Sequence, residues 1–228
     1  MTESTLFDDL SRWLADTGLI VRGGFHPGAA DSVPAPGGKD GARTLVLIGN
    51  AGPAMWAAFR KDRPGGPEPL NLWCERTIDT LAHDFGAKAL FPFEGPPFLP
   101  FLAWGARADA VHPSPLGMLI HPDFGLWHAY RGALAFRESL PLPPRDARPR
   151  PCDTCADKPC LATCPVGAFN GKTYDVAACI GHVSAAAGRD CAEDGCRARR
   201  ACPLGSPYGA AQMRFHMAAF IRTIERKN

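Results

Sequence analysis

Several features of membrane, secreted and nucleic-acid-binding proteins are missing from this sequence. No run approaches the eighteen or so unbroken apolar residues that a membrane span requires, because Gly, Pro or a charge interrupts each one. The opening stretch, MTESTLFDDLSRWLADTGLI, carries acids early and an amphipathic pattern, without the basic segment, apolar stretch and small-residue cleavage site of an export signal. The expectation is a cytoplasmic protein with no membrane partner. Net charge is also scarce, at +2, which argues against nucleic acid as a partner. There is no internal repeat, and the sole low-complexity tract of the N-terminal half is a Gly/Pro loop. Cysteine is almost absent from the first 151 residues, where Cys74 stands alone.

What is present is a globular composition, 46% hydrophobic and 21% charged over 228 residues, enough for one sizeable core and a small satellite domain. Eight of the nine cysteines fall between Cys152 and Cys202, so cysteine usage itself marks a boundary. Proline marks the same place: LPLPPRDARPRP, residues 140–151, is an extended connector, since each Pro lacks an amide donor and biases its predecessor away from the helix. A cut near 148 gives domains 1–147 and 148–228. Residues 141–228 hold 13 Lys/Arg against 8 Asp/Glu, an excess of five that fits compensation of an internal anion.

In the first domain, TESTLFDDLSRWLADTGL places Leu6, Leu10, Trp13 and Leu14 on one helical face before Gly18. GFHPGAADSVPAPGGKDGA reads as loop, TLVLIGNAG as a buried strand and turn, and PAMWAAFRK as a helix. A long helix is expected from about Pro69 to Phe85, and strands at AKALFPF, GMLIHP and HAYRGALAF. Strands and helices in alternation indicate an α/β layer architecture with a covered sheet. AGPAMWAAF lacks the Gly and Lys pattern of a phosphate-binding loop. Cys74, within a helix, reads as a small buried hydrophobe.

The second domain carries the stronger signal. Disulfides need an oxidising compartment, and zinc favours separated pairs of ligands, often with His. Here Cys152-x2-Cys155-x4-Cys160-x3-Cys164-Pro approximates the bacterial ferredoxin run, widened by two residues in its middle gap. A looser second run, Cys179-x11-Cys191-x4-Cys196-x5-Cys202-Pro, ends in the same Cys-Pro. In two-cluster ferredoxins the fourth cysteine of each run ligates the other run's cluster. The expected metal sites are therefore two 4Fe-4S clusters, one on Cys152, Cys155, Cys160 and Cys202, the other on Cys179, Cys191, Cys196 and Cys164. Eight thiolates complete both sites, so His182 and His216 read as ordinary side chains.

PLGMLIHPDFGLWHAYRGALAF, residues 115–136, resembles the I-H-P-x-F-G-x-W-x-x-x-R-G segment of the CblC family of cobalamin-processing proteins, through Ile120, His121, Pro122, Phe124, Gly125, Trp127, Arg131 and Gly132. Pro53, Ala54 and Met55 resemble a second segment of that family. The layout of the whole chain is similar to the epoxyqueuosine reductases, and more distantly the reductive dehalogenases, which join such a domain to a two-cluster ferredoxin domain. Their Lys-Asn signature is absent here; FEGPP, with Glu94, stands where those enzymes carry a proton-donating acid.

The resemblance implies a nitroreductase-like α/β (α+β) N-terminal domain that binds a corrinoid, cobalamin, through His121, Phe124, Trp127 and Arg131, with Glu94 as a catalytic acid. It implies a small C-terminal two-cluster ferredoxin-like domain beside it. Read from the residues alone, His121 is equally a strand-end histidine bonded to backbone. Phe124 and Trp127 read first as core or sheet-packing aromatics, Arg131 by default pairs with a carboxylate, and Glu94 reads at least as well as an exposed loop carboxylate. The expected function is an oxidoreductase that passes electrons through its clusters to a corrinoid for reduction, decyanation or dealkylation. Its electrons would come from a donor such as a flavoprotein or ferredoxin reductase. A ferredoxin-type carrier without its own substrate and a cobalamin-dependent substrate reductase are the alternatives.

Overall fold

The computed structural model describes residues 5–37 and 41–225. Residues 2–4 of the first expected helix and 38–40 of the Gly/Pro loop lie outside that range. The chain divides into two units, residues 1–110 with 128–147 and residues 111–127 with 148–228. A single cut near 148 assigns 111–127 to the N-terminal part; in the structure this segment groups with the cysteine-bearing part.

The first unit is built on a four-stranded sheet in the order β1 (Leu19–Phe25), β2 (Thr44–Ala51), β6 (His128–Phe136), β3 (Lys88–Leu90). Every pairing in it is antiparallel, which places the unit on the α+β side of the expectation. β1 and β2 are joined by a loop instead of a crossover helix, and a loop return produces an antiparallel pair. β2 carries an unbroken apolar run, Leu45, Val46, Leu47 and Ile48, all fully buried.

The helices are α1 (Leu6–Leu14), α2 (Ala54–Lys61), α3 (Pro69–Asp84) and α4 (Phe101–Ala108). Thr5 caps α1 by accepting from the Asp8 amide, and Asp8 returns the bond to the Thr5 amide. That capping box satisfies amides that a helix start otherwise leaves orphaned. Leu10 and Leu14 from α1, Met55 and Phe59 from α2, and Ile78 and Leu81 from α3 complete a core with almost no exposure.

The second unit has little regular structure. β4 (His112–Pro113) pairs with β5 (Leu119–Ile120), so the expected GMLIHP strand contracts to two residues. The helices α5 (Pro159–Ala162), α6 (Val176–Val183), α7 (Arg189–Asp194) and α8 (Arg197–Arg200) are short, and α9 (Ala210–Glu225) is the exception. Its apolar core joins Leu116, Ile120 and Leu126 from the 111–127 segment to Cys152, Ala168, Phe169 and Ala198. Cys160, Cys164, Cys179, Cys196 and Cys202 pack against that core. No described helix is long and apolar enough to cross a membrane.

Candidate metal centre

All nine cysteines are free of disulfides. Eight of them gather in the second unit as two groups of four. Cys152, Cys155, Cys160 and Cys202 line one cavity of about 420 Å³. Cys164, Cys179, Cys191 and Cys196 line another, smaller one. Each group therefore takes three cysteines from one run and the last cysteine of the other. Short helices position the sulfurs: α5 carries Cys160, α6 carries Cys179, α7 carries Cys191, and Cys196 caps α8.

The electrostatics show what the groups need. Burial above all pushes the Cys160 thiol up, and Cys202, Cys152 and Cys155 push it further. Cys152 rises for the same first reason, opposed by Arg150 and reinforced by Cys202 and Cys155. In the second group burial raises Cys179 and Cys196, with Cys164 and Cys191 adding to the first and Cys191 and Cys179 to the second. Four close thiolates in a poorly solvated place repel one another and stay protonated unless a cation is among them. A bound metal reverses that balance and deprotonates its thiols outright.

The donor set, all sulfur, suits an iron-sulfur cluster.

Hydrogen-bond donors surround the second group. The Ala168 amide donates to Cys164 Sγ at 3.3 Å. The Ala198 and Arg199 amides beside the Cys196 sulfur, and the Tyr174 hydroxyl beside that of Cys179, favour the ionised thiols and partly oppose the effect of burial. His182 Nε2 is buried without a hydrogen-bond partner and belongs to a residue lining the same cavity. Asp190 and Cys191 bring a carboxylate oxygen and a sulfur within 4.8 Å of one of the His182 ring nitrogens. The carboxyl of Asp190 is held below the usual carboxylate range first by the Arg197 guanidinium, and Arg200 adds to this.

The 111–127 segment supports the first group. His121 and Gly125 exchange two backbone hydrogen bonds of 2.9 Å, closing a tight turn. His121 Nδ1 accepts from the Asp123 and Phe124 amides at 3.0 and 3.3 Å, and the Phe124 ring stacks on the imidazole with centroids 4.2 Å apart. Gly125 has φ 57°, and a Cβ there would drive into the Leu204 carbonyl. Gly205 has φ 81°, and a Cβ there would meet the Phe124 carbonyl. The turn and the chain just after Cys202-Pro203 thus lie backbone to backbone, an approach that glycine alone permits. Arg148 forks onto Asp123 with bonds of 2.7 and 2.6 Å, and Arg150 Nε donates to the Pro113 carbonyl. These bonds tie the Pro-rich connector to the same segment.

Trp127 is almost fully buried; Arg199 lies over its ring at 4.5 Å and over that of Tyr208 at 4.9 Å. The same guanidinium donates to the Leu126 carbonyl.

The remaining expected site residues belong to the first unit. Arg131, on β6, donates through Nε to Asn50 Oδ1 at 2.8 Å. Glu94 is exposed, and its Oε2 accepts from the Phe91 amide at 3.3 Å. Of the four residues linked with a corrinoid, the structure brings His121 and Phe124 into contact, sets Trp127 in the same unit and Arg131 in the other.

No family model matches the chain. No curated protein matches it either. Among solved structures, the B12-trafficking protein CblC of C. elegans, a human MMACHC homologue, superimposes with a TM-score of 0.56 over 92% of this chain and 91% of that one, at 16% identity. The fold is CblC-like. Two epoxyqueuosine reductase structures, one of them with an epoxyqueuosine-modified tRNA-Tyr stem loop, align over 74% and 76% of this chain at 19% and 18% identity, with TM-scores of 0.47 and 0.45. The chain spans about half of their length, 51% and 52%.

Sequence reasoning missed several residues of this CblC-like chain. Arg22 and Asp109 form a buried ion pair at 2.6 Å, and the Tyr130 hydroxyl donates to Asp109 Oδ2 at 3.0 Å. The Arg22 guanidinium also lies 5.1 Å from the Tyr130 ring centre. Nothing in spacing pairs residue 22 with 109. Tyr174 did leave a trace: FNGKTY carries an Asn-Gly turn between two aromatics, a short-range hairpin signal.

Proposed function

We propose that this CblC-like chain is an iron-sulfur redox protein whose second unit holds two 4Fe-4S clusters and delivers electrons to a corrinoid. The observation that carries the reading is the crossed grouping of the thiols, with Cys202 beside Cys152, Cys155 and Cys160, and Cys164 beside Cys179, Cys191 and Cys196. The likeness in fold to a protein described as trafficking B12 supports the choice of acceptor.

When bound, such clusters supply one-electron transfer at potentials set by their surroundings. The chain's own part is to hold and shield them. The eight thiols give up their protons on loading, so assembly is disfavoured by acid. The prolines and leucines around the first cavity, among them Pro115, Leu116, Pro151 and Leu204, limit water at those sulfurs. The glycine contact at 125 and 205 sets where Cys202 can stand. For the corrinoid, His121, Phe124, Trp127 and Arg131 are the proposed contacts, and Glu94 the proposed acid.

The test has two steps. Anaerobic protein should contain about eight iron and eight sulfide per chain, as two cubanes require; about four of each rejects the second group as a cluster site, and none rejects both. An absorption titration with hydroxocobalamin should then show a bound, base-off spectrum, followed by cobalt(I) as reducing equivalents are added. Cobalamin that stays spectrally free beside reducible clusters rejects the corrinoid and leaves a ferredoxin-type carrier. Bound cobalamin that undergoes no change of its own while an organic substrate turns over points to a cobalamin-dependent substrate reductase.

A further inference from the structure

We propose that Tyr174 and His182 are positioning residues of the second thiol group, which aim hydrogen bonds at its sulfurs and make the cluster held there the first to accept an electron. The proposal rests on the two-cluster reading above.

Tyr174 is fixed from both sides. Its ring stacks on Phe169 with centroids 4.5 Å apart and planes 10° from parallel, and the two residues bridge in antiparallel fashion across the Asn170-Gly171 turn. Asn170 Oδ1 accepts from the Lys172 and Thr173 amides at 2.9 and 2.7 Å and rigidifies that turn. So held, the phenol packs against the same apolar cluster as Cys179, with its hydroxyl beside that sulfur.

His182 stands one helical turn beyond Cys179 on α6. Its Nε2 is buried without a hydrogen-bond partner in a residue lining the cavity of the four sulfurs, and one of its ring nitrogens lies within 4.8 Å of Cys191 Sγ. A buried donor without an acceptor is costly, and cluster sulfur supplies the acceptor that the protein does not. Asp190, the anion nearest to it, has its charge offset by Arg197 and Arg200.

Reduction adds negative charge, and hydrogen bonds to ligand sulfur stabilise the more negative state. The Ala168, Ala198 and Arg199 amides act in the same direction on Cys164 and Cys196. Burial opposes uptake of the electron, and in this proposal the donors outweigh it at the second site. The first group lines the wider cavity, walled by apolar side chains.

The experiment is an EPR-monitored redox titration of the anaerobic, cluster-replete full-length chain. Tyr174→Phe should leave iron and sulfide unchanged. It should lower the reduced fraction of the first-filling signal about tenfold at fixed potential, a downward shift of about 59 mV for a one-electron couple. His182→Leu should move the same signal in the same direction. An iron-replete Tyr174→Phe chain with an unmoved first midpoint, or a shift confined to the later signal, overturns the proposal. Should Tyr174→Phe lose iron, His182→Leu decides by the same criterion. A wild-type chain that binds no iron overturns the two-cluster reading instead.

Discussion

The two units of this chain reach a folded state by different means. The first closes an apolar core around β2 and adds a buried, paired charge at Arg22 and Asp109. The second has a small apolar cluster in which cysteine takes places that leucine or valine would fill elsewhere. Cysteine that must ionise to bind metal is a poor core residue until the metal arrives. The lesson is that one unit carries its stability in its side chains, and the other, on the two-cluster reading, would draw it from what its thiols hold.

Iron removal should break this comparison open most widely. In chelator-treated protein, amide exchange across 148–225 and 111–127 should rise to that of an unfolded chain, while β2 and β6 keep their protection. Equal protection of both units with and without iron would refute the contrast. The reverse perturbation is Arg22→Ala, which leaves the buried Asp109 carboxylate without its guanidinium partner. It should cost about 3–5 kcal/mol in the denaturant stability of the first unit, with iron content unchanged. A loss under 1 kcal/mol would show that the pair contributes little.

Gly125→Ala sharpens the contrast from within the second unit. The αL conformation alone costs about 1–3 kcal/mol, and the contact with Leu204 adds to it. Displacement of the Cys202 loop should lower iron from about eight toward four per chain; full iron at wild-type stability would show that the loop yields.

The smallest effect concerns alkali. Burial pushes the Cys74 thiol up to about 11, with Arg131 partly opposing. Its folded value thus lies above its unfolded one, so its contribution is fully present below pH ~8.5 and fades as pH rises through the folded value. Cys74→Ala should flatten the fall in first-unit stability across that window; an unchanged slope assigns the fall to other groups.

Much of this was legible in the sequence. The period of Leu10 and Leu14 marked α1, the unbroken apolar run at 45–48 marked β2, and the Cys-Pro endings grouped the thiols. β1 was hidden because Arg22, Gly23 and Gly24 interrupt its apolar pattern, and Arg22 is there for a partner 87 positions away. α4 was hidden by the prolines before it and by Gly105 within it, a glycine whose absent Cβ leaves room for the Tyr130 ring. The allegiance of 111–127 rests on Gly125 against Leu204, a tertiary contact that no local pattern announces. The roles expected at His121 and Trp127 came from resemblance, and their geometry adds turn closure and support for Arg199.

The turn at Gly125 also imposes an order on synthesis. Its partner backbone at Leu204 and Gly205 leaves the ribosome about 80 residues later, roughly 4–16 s at ~5–20 residues per second. The first unit is complete once β6 and the few residues after it have followed, whereas through that interval 111–127 has only its own short β4–β5 pairing and turn. The nascent chain therefore carries an unsatisfied apolar segment, with Leu116, Ile120 and Leu126 in it, that calls for a chaperone or for prompt delivery of iron. On the two-cluster reading, maturation of this protein would end with the metal, after the last cysteine is made.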